Sequence, residues 1–420
     1  MIPLAYAALW CFVFSVPWET VLVISGIGVI SKLTGMLALG VSLFAVVVSG
    51  RIRRPQGFHM AALLFLIWTG ISVMVLHMPI IPKKFWTFVQ LFLVIWMIWE
   101  LAPSRERVLG LMTAYVLGAF VASVDTIMVF RSKAAIMRRY ASGGGDANDV
   151  AMILALALPM AWYLGMMSPK PYVRLVCRAY LPVALLALGL TGSRGGMLAS
   201  IVGLLIVPLT MTRLSPGKLV TAIAILCLSG GLAVVYVPQK LVARFATTSS
   251  EVEGGRIGGR FKLWVAGSRA FAVRPLMGYG VSGFKTAVGP YLVSEAQVAH
   301  NSFVSVLVEE GLVGFLLYLS MLIAVFRAIL RLPPLERRFG LVVFATLIVA
   351  MLPLTWEDRK VVWVILAALL GLAEAQDGGW GRAPWQPQPH EATHLAGVTR
   401  AAPREPLTAV VRNAGRRPTA

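Results

Sequence analysis

Twelve apolar stretches dominate what this chain can fold into. They lie near residues 3–18, 30–49, 58–76, 84–101, 107–129, 150–167, 179–193, 196–212, 218–237, 302–326, 339–354 and 360–374. A helix crosses a bilayer with about 20 mostly apolar residues, over a range of about 17 to 25. Several stretches are shorter than ideal, and Pro17, Pro159 and Pro182 are placed to kink them or mark their ends. Hydrophobic residues make up 58% of the 420 and charged residues 13%. A soluble domain carries roughly 25% charged residues, so this chain has too little polar surface to cover itself in water. The expected architecture is an all-α polytopic membrane protein of about 12 transmembrane helices. Met1 to Trp18 is apolar, with no Lys or Arg before Lys32, and reads as an uncleaved first span rather than a secretory signal.

Lys and Arg number 38 against 18 Asp and Glu, a net charge of +20. Most of these charges must sit in the connectors. Cationic connectors beside a bilayer suit anionic headgroups or phosphorylated substrates. No soluble basic domain is visible, so nucleic acid is not an expected partner. An even number of spans puts both termini on one side, and the positive-inside rule assigns them to the cytoplasm. The clusters RIRR at 51–54 and LERR at 335–338 carry most of that bias. The outer connectors are nevertheless rich in cations. The long segment 238–299, between the ninth and tenth spans, holds Lys240, Arg244, Arg256, Arg260, Lys262, Arg269, Arg274 and Lys285 against three Glu. Anion binding on the outer face accounts for that excess. Residues 1–375 form the membrane domain. Residues 376–420, rich in Pro, Gly and Arg, read as a disordered cytoplasmic tail.

Cys11 and Cys227 lie in apolar runs and Cys177 in a short basic loop; no spacing suggests a disulfide framework or a metal site. No metal and no cofactor are expected. Four constellations carry chemistry instead. In TGSRGG, 191–196, Arg194 is flanked by glycines that let backbone approach a ligand; the alternative is an Arg snorkelling at a helix end. In EGGRIGGRF, 253–261, Arg256 and Arg260 offer guanidinium forks that match phosphate oxygens, or merely a flexible positive loop. From Arg260 to Val273 an amphipathic helix is expected at the membrane surface, with Phe261, Trp264, Val265 and Phe271 broadly on one face. GYGVSGF, 278–284, reads as a Gly-rich turn. His300, at the join between the long segment and the tenth span, can accept a proton near neutral pH, with Asn301 to orient it or a substrate; the alternative is a boundary His that only hydrogen-bonds. In GGGDANDVA, 143–151, Asp146, Asn148 and Asp149 are expected to cap a helix, or to bind a hydroxyl or cation.

In order along the chain, these motifs resemble those of the O-antigen ligase and polymerase superfamily of bacterial inner membranes. The features are TGSRGG at 191–196, RFKLW at 260–264, PLMGYGVSGF at 275–284, and His300–Asn301 followed by nine residues, Gly311, two residues and Gly314. DANDVA departs from the family's Asp-Pro-Asn stretch, with Ala147 in the Pro position. The resemblance covers roughly residues 1–375. It implies a metal-independent, inverting glycosyltransferase with a GT-C-like helical fold, working at the periplasmic face of the inner membrane. It implies a glycan donor on undecaprenyl pyrophosphate, and lipid A–core or a lipid-linked glycan as acceptor. By motif, Arg194 and Arg260 hold the pyrophosphate, Arg256 competes with Arg260 for that role, and His300 activates or orients the acceptor hydroxyl. Asn301, Trp264, Gly280, Asp146 and Asn148 are the expected substrate-binding residues.

The acceptor distinguishes ligase, polymerase and protein O-oligosaccharyltransferase, and the motifs do not separate them. A transporter or flippase for an anionic lipid-linked glycan is the competing class. It calls for charges along a central cavity, whereas charges within these spans are few: Lys32, Asp125, Glu309 and Glu310. A non-catalytic assembly scaffold is the third class.

Overall fold

The computed structural model of the protein describes residues 1–50, 52–77, 80–133, 139–211, 214–246, 260–292 and 297–376. Contacts divide the chain into two units, Met1–Asp377 and Gly378–Ala420. The second unit, nearly all of the expected tail, lies outside the described residues, as does Arg256.

The first unit is a helical bundle. Its helices are α1 (Ile2–Ser15), α2 (Ile30–Ser49), α3 (Gly57–Val75), α4 (Lys83–Leu101), α5 (Arg105–Lys133), α6 (Ala147–Met167), α7 (Pro171–Thr191), α8 (Arg194–Leu204), α9 (Ile206–Met211), α10 (Pro216–Tyr236), α11 (Gln239–Ala246), α12 (Arg260–Val273), α13 (Phe284–Val288), α14 (Ser302–Leu330), α15 (Pro334–Met351) and α16 (Lys360–Gln376). A short antiparallel pair, β1 (Val23–Ile24) and β2 (Gly28–Val29), lies between α1 and α2. The apolar runs become helices because an amide in lipid has no water to bond and must be satisfied along its own segment. Among the described residues, nine helical segments are long and apolar enough to cross a membrane: α2 to α7, α8 continued by α9, α10, and α14. Val47, Leu175 and Val234 are 77%, 70% and 85% exposed, an outer surface that suits lipid and not water.

The core sits around α6, where nearly every residue is buried. Its small residues let neighbours approach closely, which is how membrane helices gain contact when lipid is as apolar as their side chains. Gly196 of α8 lies against Ala151, and a side-chain carbon at Gly203 would stand 3.2 Å from the Ala155 carbonyl oxygen. Gly195 and Gly196 thus serve helix packing, a role the sequence did not suggest. Gly192 closes α7 in the left-handed conformation, with φ 56°.

One sequence boundary is corrected. The seventh span was placed at 179–193, but α7 begins at Pro171, so Cys177 is buried in a helix and not in a loop. The early charges do not end the helix because they fold back onto carbonyls: Arg174 Nη1 donates to Ser168 O at 3.0 Å, and Arg178 Nε to Gly165 O at 2.8 Å. The face expected on α12 also differs. Leu263, Ala266, Gly267 and Ala270 are its buried residues, while Phe261 is 53% exposed. Gly267 packs on Val304 and Val308 of α14, so the inward face is the one with small residues.

α14 breaks at Gly311, whose φ of 65° and ψ of −168° no helix contains. The break frees backbone groups that residues 275–280 then satisfy. Tyr279 N donates to Val308 O at 3.1 Å, Gly280 N to Glu309 O at 2.7 Å, and Leu312 N to Pro275 O at 2.7 Å. Gly278 is required on the other side of this seam, where a side-chain carbon would meet Glu309 O at 2.5 Å and Gly311 N at 2.6 Å. Gly314 lies against Trp68 of α3, whose Nε1 donates to Glu310 O at 2.9 Å. The spacing from His300 to Gly311 and Gly314 is therefore a folding specification: start of α14, break, contact. Gly311→Ala should destabilise the protein by about 1–3 kcal/mol from backbone strain alone, more with the clash, read as a lower melting temperature in detergent.

Candidate functional site

One end of the bundle gathers most of the residues singled out in the sequence. Four of the helices that begin there, α6, α8, α12 and α14, begin at or beside one of those residues. Asp146 caps α6, its Oδ1 accepting from Asn148 N at 2.6 Å. Ser193 caps α8, accepting from Gly196 N, so Arg194 is the first residue of that helix. Arg260 opens α12. Asn301 caps α14, its Oδ1 accepting from Phe303 N at 2.9 Å and Val304 N at 3.1 Å. Helix N-termini carry partial positive charge and spare N–H groups, so this end favours an anion.

Side chains tie these starts together. Asn148 Oδ1 accepts from Ser193 Oγ at 3.0 Å and from Arg139 Nη2 at 2.8 Å, and Arg139 Nε donates to Thr191 O at 2.8 Å. Asn148 is thus a strut between α6 and the TGSRGG turn. Asp149 does not cap its helix. It accepts from Trp356 Nε1 at 3.0 Å and pairs with Arg359 at 3.2 Å. The loop 352–359 in turn holds the start of α14. Thr355 Oγ1 accepts from His300 N at 2.9 Å, and Ser302 Oγ bridges Leu354 O and Trp356 N. Trp264 Nε1 donates to Ala299 O at 3.0 Å, fixing α12 beside His300. Trp264 and Gly280, expected to bind substrate, are thus engaged in holding backbone.

His300 has φ of 47°, unusual outside glycine, and its side chain stays partly exposed. Burial, and next the charge of Arg260, hold its imidazole below the ordinary histidine range; Asp146 and Asp149 pull the other way. Burial lowers Arg260 as well, with Asp146 opposing. The depressed value leaves His300 neutral at neutral pH, with a ring nitrogen able to accept a proton. His300, Arg260, Asp146 and Asp149 therefore share one electrostatic neighbourhood, and the Ser193–Asn148 hydrogen bond ties the start of α8, where Arg194 lies, to the start of α6. Removing the cation in Arg260→Gln should raise the His300 pKa, and Asp146→Asn should lower it further. Histidine NMR titration of a chain with five His reads both shifts, and no movement in either would separate these charges from the ring.

Beneath this surface lies a cluster the sequence reading missed. Lys84 Nζ bridges Glu309 Oε2 at 2.8 Å and Glu357 Oε1 at 2.5 Å, with Lys84 11% and Glu357 0% exposed. Ser305 Oγ donates to Glu357 Oε1 at 2.7 Å, and Ser282 N to Glu309 Oε2 at 3.0 Å. Lys84 stands at the edge of the apolar stretch 84–101, and Glu357 in the short connector between the stretches 339–354 and 360–374. Their sequence separation hides the pairing, although an acid at 309 inside an apolar helix was a signal that a buried cation exists. Breaking a buried pair from one side typically costs about 3–5 kcal/mol. Lys84→Met should therefore melt well below the parent, and Lys84→Met with Glu357→Gln should recover part of the loss. Among the described residues no group of three or more His, Cys, Asp and Glu is arranged to hold a metal ion.

Residues 179–319 match a protein-family model described as O-antigen ligase. The match supports membership of the O-antigen ligase and polymerase superfamily. It spans α8, α12 and the break in α14, and so includes Arg194, Arg260, His300 and both motif glycines. Among curated proteins none matches the chain. Such membership implies a glycosyltransferase-type activity.

Proposed function

We propose that the protein transfers a glycan from an undecaprenyl-pyrophosphate carrier to an acceptor hydroxyl, as an O-antigen ligase or a surface-polysaccharide polymerase. The observation that carries this reading is the gathering of His300, Arg260, Asp146 and Asp149 at the end of the bundle where α6, α8, α12 and α14 begin, with burial and Arg260 holding the imidazole below the ordinary histidine range. His300 takes the proton of the acceptor hydroxyl. The acceptor oxygen then bonds to the anomeric carbon, from the side opposite the phosphate. The bond from that carbon to the phosphate oxygen breaks, and undecaprenyl pyrophosphate leaves with the electron pair. Arg194 and Arg260 neutralise the charge that grows on the departing oxygen, with the helix N-termini of α8 and α12 behind them. No metal is assigned a part, because the two guanidinium groups supply the charge a leaving pyrophosphate needs. Arg256 remains the alternative second Arg.

We place the membrane in the same reading. α1, α15 and α16 cross with the nine longer segments, both termini are cytoplasmic, and the His300 end faces the periplasm of a bacterial inner membrane. Two features support it. The basic cluster at 51–54 precedes α3 and that at 335–338 lies in the first turn of α15, at the end away from His300. Among the described residues, the buried acids Glu309, Glu310 and Glu357 gather by Lys84 near one end and buried Arg53 and Glu374 lie near the other, a distribution at the two ends that favours a surface pocket over a flippase.

Reconstitution of purified protein with an undecaprenyl-pyrophosphate-linked glycan and lipid A–core tests the reading. Glycan on lipid A–core identifies a ligase, and a ladder of longer lipid-linked chains a polymerase. His300→Ala should abolish either product while the protein stays folded. Arg194→Lys should also fail, since a point charge does not reproduce a bidentate contact. Product at normal levels from His300→Ala would end the catalytic assignment. Transfer only to a protein Ser or Thr would convert the reading to an O-oligosaccharyltransferase.

A further inference from the structure

We infer that a groove at the end of the bundle opposite His300, between α1, α5, α6 and α7, binds one molecule of an anionic glycerophospholipid.

The groove is a cavity of about 930 Å³. Its position follows from the helix ends that form it: the starts of α5 and α7 and the end of α6, whereas α6 starts and α7 ends at the His300 side. Its mouth carries Arg105, Arg107, Lys170 and Ser168, and its walls continue inward over Trp10, Thr113, Leu117 and Val176. Leu117 lies twelve residues beyond Arg105 on one helix, roughly 18 Å at the usual rise. That is a little over half of a hydrocarbon core about 30 Å thick. The groove therefore runs from headgroup level to about the depth of one leaflet. A soluble phosphate compound has no use for an apolar slot of that length, and an acyl chain fills it.

The mouth specifies the headgroup. Glu106 pairs with Lys170 at 2.8 Å and Glu336 with Arg105 at 2.9 Å. Arg107 forms no ion pair among the described residues. Its Nη1 donates to Leu101 O at 2.9 Å, and its guanidinium sits over the Tyr6 ring at 5.3 Å. Arg105 Nε is buried and lacks a hydrogen-bond partner. The lining carries three cations, Arg105, Arg107 and Lys170, against the one carboxylate of Glu106, an excess that complements an anionic lipid such as phosphatidylglycerol. Basic pockets between membrane helices recognise anionic headgroups by this chemistry. Tyr6, Trp10, Tyr163 and Tyr172 surround the mouth, the ring types that favour the level of the headgroups. Tyr6 is locked in place: its hydroxyl donates to Arg107 O at 2.8 Å and it lies against Gly110 of α5.

The test uses the full-length protein in zwitterionic nanodiscs and in detergent, with phosphatidylglycerol, phosphatidylcholine or glycerol 3-phosphate added. Native mass spectrometry should retain one phosphatidylglycerol per chain, and that lipid should raise the melting temperature where phosphatidylcholine does not. Arg107→Gln should weaken retention about fivefold, the scale of one cation near an anionic headgroup. Leu117→Trp fills the inner end of the groove without touching the charges, and should also reduce retention while melting near the parent when no lipid is added. Equal effects of both phospholipids, retention unchanged in Leu117→Trp, or glycerol 3-phosphate stabilising as well as the lipid would each overturn the proposal. The readout is lipid binding alone, so its outcome is independent of glycan transfer.

Discussion

The buried bridge from Lys84 to Glu309 and Glu357 is the interaction on which the rest of the His300 end depends. It joins three parts of the chain that nothing local connects: the start of α4, the second turn and beyond of α14, and the loop 352–359. Each carboxylate passes the constraint on. Glu309 accepts from Ser282 N and so fixes the Gly-rich turn, and Glu357 accepts from Ser305 and so holds α14 against the loop. That loop contacts His300 through Thr355 and Asp149 through Trp356. A charge pair away from water is costly to form and costlier to leave half-made, so the three parts have one arrangement in which all partners are present.

The break at Gly311 is the second device, and it works on backbone. A continuous α14 would bond its own carbonyls and leave residues 275–280 with nowhere to put their amides. With Gly311 at φ 65°, the carbonyls of Val308 and Glu309 turn to those amides instead. The long connector is thereby anchored to a membrane helix just below the site. Arg260 precedes the anchor and His300 follows it, so the connector returns both residues to the same place. The electrostatic consequence is an imidazole held below the ordinary histidine range by burial and by the charge of Arg260.

Much of the site was legible as residues and little of it as contacts. Arg194, Arg260, His300, Asn301 and Asp146 were recognisable because glycine-flanked Arg, a boundary His and a capping Asp are uncommon in so apolar a chain. Their partners were not. Asn148 looked like a cap and is a strut to Ser193; Asp149 looked like a cap and belongs to Trp356 and Arg359. Trp264 and Gly280, expected as substrate contacts, also hold backbone. Lys84 and Glu357 passed unremarked, since a partner 273 residues away leaves no trace in local spacing. The start of α7 was missed for a related reason: Arg174 and Arg178 lower the hydropathy of a turn that their bonds to carbonyls make part of the helix.

The sequence by itself determined that this chain is a bundle of membrane helices, because a run of apolar residues in lipid has one way to satisfy its amides. It also determined which residue types were available for chemistry, because charged and glycine-rich stretches are conspicuous among apolar ones. The tertiary structure alone decided which of those residues meet. Apolar helices pack through small surfaces that hydropathy does not rank, so the neighbours of α6 follow from Gly196 and Gly203 fitting against it. The charge balance around His300 comes from Arg260, Asp146 and Asp149, three residues on two helices that share an environment only after the bundle has formed.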